Sequence, residues 1–147
     1  MTHICVLSHN DQPSLISGDT MFNAGAGNCH NGGHPEKLYD TFADQLTKLP
    51  DDTLIYPGHD YIAGNLAFTI DREPDNQRAK NLLSEIVNQD PAKAMVTTLG
   101  LEKEINTFFR LHSPSVIATL REKFPDMEDK PKAKDVFLKL RILRNDW

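Results

Sequence analysis

The stretch from Gly18 to Gly33 most constrains what this chain can fold into. Five of the eight glycines fall within it, at positions 18, 25, 27, 32 and 33, and no helical or strand-like apolar period runs through it. Glycine permits left-handed backbone and close approaches that a Cβ forbids, so the stretch reads as a long, backbone-permissive loop. Loops of this length are uncommon inside compact domains and are often functional. The loop also separates two kinds of sequence, strand-rich before and around it and mainly helical well after it.

Ahead of the loop, Ile4 to Ser8 is a short apolar run, His9 to Pro13 has turn composition, and Ser14 to Ser17 is a second strand candidate, which together predict a hairpin. After it, Pro35 opens a helix in which Leu38, Phe42, Leu46 and Leu49 recur every three or four residues. Pro50 ends that helix, and Thr53 to Tyr56 reads as a buried strand leading into the loop Pro57-Gly58-His59-Asp60. Leu66, Phe68 and Ile70 mark a short helix. Asp75 or Asn76 is placed to cap another that carries Leu82, Leu83, Ile86 and Val87. Past Pro91 the chain reads as helical, with a Ser113-Pro114 start and a terminal amphipathic helix marked by Val136, Phe137, Leu140 and Leu143. The division this predicts is an α/β part over 1–72 and a helical region over 73–147.

Composition narrows the class. At 147 residues, 39% hydrophobic and 25% charged, the chain has the makeup of an ordered globular protein. A net charge of −5 and a pI near 5.6 argue against a nucleic-acid partner. No apolar run reaches the roughly 18–20 residues that span a bilayer, and the N-terminal sequence lacks the pattern of a secretory signal, so no membrane association and a cytoplasmic location are expected. Cys5 and Cys29 are too few for a disulfide framework.

Three positions could carry chemistry. Asp19, in Gly18-Asp19-Thr20, sits where a strand end meets a loop. His59, in Pro57-Gly58-His59, does the same, and His3 lies at the front of the first strand. Carboxylate and imidazole groups at neighbouring strand ends suit zinc or iron, although each segment taken alone is ordinary turn chemistry. Cys29, His30 and His34 lie close together, but without a fourth ligand they read as a polar loop. Phe108 and Phe109 read as packing residues between the helical region and the α/β part.

Taken in order and with their flanks, these segments resemble glyoxalase II, the hydroxyacylglutathione hydrolase branch of the metallo-β-lactamase fold. The residues that carry the resemblance are Gly18 to Gly27, Leu38-Tyr39, Leu49 to Thr53, Tyr56 to Tyr61, Asn65-Leu66, Glu73 to Asn76, Asn106 to Arg110 and Leu140 to Trp147. The fold this implies is the C-terminal half of an αββα sandwich followed by a helical C-terminal region. The family's His-x-His-x-Asp-His string is absent from these 147 residues, so the resemblance implies the C-terminal portion of an enzyme whose metal set is incomplete here.

The activity implied is metal-dependent hydrolysis of an S-2-hydroxyacylglutathione thioester to hydroxy acid and glutathione, a step of methylglyoxal detoxification. Zinc is the implied metal, with iron or manganese as possibilities. His3 and His59 match single-metal ligands, and Asp19 matches the bridging carboxylate that serves catalysis. Tyr61 and Arg110 match glutathione contacts. Asn28 and His30 fall where family members often carry a basic residue and an aromatic. Two alternatives stand beside this reading: a non-catalytic fragment that self-associates or takes an N-terminal half in trans, and a persulfide dioxygenase relative.

Overall fold

The computed structural model describes residues 4–30, 32–90 and 92–147. The hairpin expected at the start is present: β1 (Cys5–His9) pairs antiparallel with β2 (Gln12–Gly18), and Asn10 and Asp11 make the turn in left-handed conformation. Asparagine and aspartate tolerate positive φ better than most side chains, which is why this pair closes a tight hairpin. β5 (Leu54–Pro57) lies parallel to β2 on its other side. β6 (Thr97–Thr98) pairs antiparallel with β5, giving the sheet order β1-β2-β5-β6.

The stretch that reads as a permissive loop is half a loop only. Within it, β3 (Met21–Phe22) and β4 (Gly25–Ala26) form a two-stranded ribbon, and every residue from Met21 to Gly27 is buried. Two-residue strands carry no period, so the sequence gives no sign of them. The glycines are there for contact rather than mobility. A Cβ at Gly27 would lie 1.9 Å from the Asp19 carbonyl oxygen, and one at Gly25 would lie 2.5 Å from the Asn65 side chain.

The described residues form six helices, which pack on one another and on one side of the sheet: α1 (Pro35–Asp44), α2 (Ile62–Arg72), α3 (Gln77–Val87), α4 (Leu99–Ile105), α5 (Pro114–Lys123) and α6 (Ala133–Asn145). The expected periodic residues Leu38, Phe42 and Leu46 do pack on the core, although Leu46 falls in a separate 3₁₀ turn after α1. Of the two capping candidates before α3, Asn76 is the cap, its side chain accepting from the Ala79 amide at 3.0 Å. Ser113 precedes α5 as expected, but its hydroxyl donates to Glu73 instead of capping the helix.

The main core joins the sheet to the helices on both sides of residue 72. Leu15 and Ile55 from the sheet meet Phe42, Phe108, Phe137 and Leu140. Phe42, Phe68, Phe108 and Phe137 are at most 2% exposed; Phe42, Phe108 and Phe137 meet edge-on or tilted, and Phe68 stacks on Phe108, each burial being worth about 1.5–3 kcal/mol. Phe108 therefore does the packing its sequence context suggests. A second cluster of Ala24, Leu66, Leu82 and Ile105 ties α2, α3 and α4 to the ribbon.

The opposite face of the sheet is open. The register sets Cys5, Ile16 and Tyr56 in one row, and Leu7 follows on the same side. Leu7, Ile16 and Tyr56 are 49, 46 and 42% exposed.

Candidate active site

The sheet delivers Asp19 and His59 to the same place. β2 and β5 are parallel neighbours, so the loops after them emerge side by side, and the Gly58 amide donates to the Gly18 carbonyl at 2.9 Å to hold them together. Gly18 takes a left-handed φ of +50°, which turns the chain so that Asp19 faces His59. The Asp19 carboxylate lies 3.5 Å from His59 Nε2, and both side chains are more than half exposed. Gly58 has no side chain because a Cβ there would press to 3.0 Å on Asp19 Oδ1.

An accessible carboxylate beside an accessible imidazole is a donor pair that suits zinc, iron or manganese. Among the described residues no third His, Cys, Asp or Glu joins them. His3, the remaining metal ligand implied by the resemblance, lies outside the described residues. The pair therefore fits part of a metal site.

Tyr61 continues this line. Its ring stacks on His59 with 5.3 Å between centroids, and Phe22 from the ribbon meets Tyr61 edge-on at 5.0 Å. Phe22 and Tyr61 form one wall of a cavity of about 220 Å³ whose other walls include Asn28, His30, Arg141 and Arg144. Three of the four expected substrate contacts, Tyr61, Asn28 and His30, are thus brought to one cavity beside the Asp19–His59 pair.

Arg110 is not brought there. Its Nε and Nη2 each donate to the Glu73 carboxylate at 2.7 Å, and its Nη1 reaches the Lys103 carbonyl. Glu73 is 3% exposed and also accepts from Ser113 and Asn76. Burial pushes its carboxyl up, but the hydrogen bonds from Arg110, Ser113 and Asn76 outweigh that and hold it below the ordinary glutamate range. Arg110 is the counter-ion of a buried carboxylate and does not line the cavity.

The cations in the cavity come instead from the terminal helix. Arg141 is 4% exposed; its Nη1 donates to the Ala26 and Gly27 carbonyls at 2.8 Å each, and its Nη2 donates to Asn145. Its Nε is buried without a partner, and no carboxylate pairs with it among the described residues. Burial, and then the charge of Arg144, lower its pKa to about 10. The guanidinium still stays charged at neutral pH. Arg144 donates to Asn65 Oδ1 at 3.2 Å and lies against both Phe68 and Trp147, 5.8 and 5.7 Å from their ring centroids. No Asp or Glu side chain lines this cavity. Two guanidinium groups at one space, with no carboxylate bonded to either among the described residues, are chemically suited to an anion.

Known proteins are similar to this sequence. The family model for the hydroxyacylglutathione hydrolase C-terminus matches residues 60–147, which take in Tyr61, Arg141 and Arg144. A hydroxyacylglutathione hydrolase of Polaromonas sp. is 66% identical over all 147 residues, and one of Nitrosococcus oceani is 60% identical over the same span. One of Dictyostelium discoideum is 32% identical over 142 residues. The chain covers 56, 56 and 53% of these three proteins, so it spans about half the length of the relatives it matches. By the extent of the family match and the mixed α/β architecture that accompanies it, the chain belongs to the hydroxyacylglutathione hydrolase C-terminus family.

Proposed function

We propose that this chain supplies the thiol-carrier cavity and one side of the metal centre of a hydroxyacylglutathione hydrolase. The reaction splits an S-2-hydroxyacylglutathione thioester with water, giving the hydroxy acid and glutathione. The observation that carries this reading is the convergence of Arg141 and Arg144 on a cavity without acidic side chains, one aromatic wall away from Asp19 and His59.

The division of labour follows from the chemistry of the two places. Glutathione presents carboxylates, which Arg144 and the buried Arg141 would bind with charge-assisted hydrogen bonds. Tyr61 and Phe22 would flank the thiol end and aim it toward His59. Asp19 and His59 would hold the metals together with His3 and with ligands from the portion of the longer relatives that this chain does not span. Bound there, zinc, iron or manganese supplies Lewis acidity for the thioester carbonyl and acidifies water. The exposed row of Leu7, Ile16 and Tyr56 is the face on which that further portion would pack. The relatives' names favour the hydrolase over the dioxygenase alternative.

Both arginines and the aromatic wall belong to this chain, so the reading can be tested without a metal. S-methylglutathione, a thioether that cannot be hydrolysed, should bind with affinity that falls as salt is added, by isothermal titration calorimetry. A charge-assisted bond is worth roughly 1.5–3 kcal/mol, so Arg144→Gln should weaken binding by about 10- to 100-fold. No detectable binding by the wild-type chain at millimolar ligand would contradict the proposal.

A further inference from the structure

Deep behind the cavity lies a carboxylate that the chemistry above does not use. Glu102, on α4, is fully buried. Its oxygens accept from the Ala24 amide at 2.9 and 3.1 Å, from the Thr97 hydroxyl at 2.7 Å and from Asn106 Nδ2 at 2.9 Å. Two of these partners can only donate. The third, Thr97, already accepts from Asn23 Nδ2 at 2.8 Å and so presents its own proton to Glu102. Such a set satisfies an ionised carboxylate, whereas a protonated one could give its hydrogen only to Thr97, whose own hydroxyl hydrogen would then have to turn away from Glu102.

These bonds pin the turn between β3 and β4. Ala24 sits at a φ of +58°, a conformation that a side-chain-bearing residue holds only when its surroundings enforce it. Asn106 Nδ2 also reaches the Gly25 carbonyl at 3.2 Å. From the pinned turn the network runs to both cavity arginines. Asn65 Nδ2 donates to the Asn23 carbonyl at 3.0 Å, and Asn65 Oδ1 accepts from Arg144 at 3.2 Å. One and two residues past Gly25, the carbonyls of Ala26 and Gly27 hold Arg141. Each guanidinium is therefore oriented by an acceptor whose place depends on the turn.

We propose that Glu102 is a positioning residue for the anion cavity, acting on Arg144 through the Asn23–Gly25 turn and Asn65 and on Arg141 through the carbonyls that follow the turn. This deepens the thiol-carrier reading and rests on it for the identity of the ligand. Protonation of Glu102 removes the charge that its donors converge on and makes the Thr97 hydroxyl turn away, which loosens the turn and misplaces both arginines. The charged groups around α4 are otherwise engaged: Lys103 with Asp51, Glu104 with Arg78 of α3, and Arg110 with Glu73. Burial brings the Glu102 carboxyl up to about 7 against the pull of its donors, so the switch between its two states falls in the neutral range. Near the arginines stand also His30 and Tyr61 in the cavity wall, Asp60 in a neighbouring pocket that Arg144 shares, and the Cys29 thiol, which burial pushes up.

Trp147, the chain's one tryptophan, lies against Arg144 and lines the cavity, so its emission reports on that arginine. The experiment is a pH titration from 5.5 to 8.5 of Trp147 fluorescence and of S-methylglutathione affinity, in a His30→Gln background that removes the imidazole lining the cavity. Glu102→Gln is compared in the same background, with circular dichroism checking the fold. Groups sharing a hydrogen-bonded network couple strongly enough for affinity to rise about tenfold from pH 6 to pH 8. The Trp147 transition should accompany that rise, and both should vanish in Glu102→Gln, which keeps the low-pH affinity throughout. A transition that persists unchanged in Glu102→Gln overturns the proposal. If the variant does not fold, a flat Trp147 titration in the His30→Gln chain overturns it by itself. A chain whose Trp147 emission titrates through Glu102 but which binds no S-methylglutathione contradicts the thiol-carrier reading and leaves the positioning of Arg144 standing.

Discussion

Two arginines show how far a local pattern can mislead about a side chain's employment. Arg110 lies in an aromatic-rich segment that the resemblance connects with glutathione, yet in the fold it neutralises the buried Glu73. Arg110→Ala should therefore leave S-methylglutathione affinity within about twofold of wild type and lower stability instead. Removing one partner of a buried pair costs about 3–5 kcal/mol, and the partial exposure of Arg110 reduces that to about 1–3 kcal/mol. The sign of the pH dependence follows from Glu73, whose carboxyl is held below its ordinary value. Its contribution is present above the unfolded glutamate range and is lost as pH falls through the lower folded value. Urea unfolding at pH 7 and pH 3 checks this: wild type and Arg110→Ala should differ clearly at pH 7 and much less at pH 3. Arg141 and Arg144 had a signal of their own. They fall four and seven residues after Phe137, on the same stripe of α6 that packs the core, and a charge in an apolar stripe marks a buried polar function.

At the scale of elements, what carried a period was legible and what lacked one was not. The hairpin, α1 and α6 follow alternation or three- and four-residue spacing, and the structure has them within a few residues of the expected bounds. The β3–β4 ribbon and β6 are two residues a strand; their positions are set by partners far along the chain, Thr97 pairing with Ile55 and Asn65 holding the turn of the ribbon. The glycine stretch announced a special backbone but not its purpose, which is close packing under Asp19. Gly27→Ala tests that purpose. A methyl 1.9 Å from the Asp19 carbonyl must move backbone, at a cost of about 1–3 kcal/mol or more. The expected result is a melting temperature several degrees lower together with weaker S-methylglutathione binding, because Gly27 also supplies a carbonyl to Arg141. Gly64, which has open space around its Cβ position on α2, is the control: Gly64→Ala should keep or raise the melting temperature.

The molecule as a whole has one side finished and one side open. Its helices pack on one sheet face and, with the ribbon and the loop after it, line the cavity that holds Arg141 and Arg144, while Leu7, Ile16 and Tyr56 stand exposed on the other face and Asp19 and His59 stand together at its edge. Asp19 and His59 were legible as strand-end residues because both follow short apolar runs directly. That they meet at 3.5 Å depends on β2 and β5 being parallel neighbours, which no local pattern states. The central claim is that these groups form one side of a thioester hydrolase centre, and reconstitution tests it most directly. The portion of the Polaromonas relative that this chain does not span is joined to it, zinc is added, and release of glutathione from S-lactoylglutathione is followed. Hydrolysis should appear in the joined protein, fall by several orders of magnitude in Asp19→Ala, and be absent from either part alone. A joined protein that folds and holds zinc yet releases no glutathione from any acyl thioester tried would contradict the account.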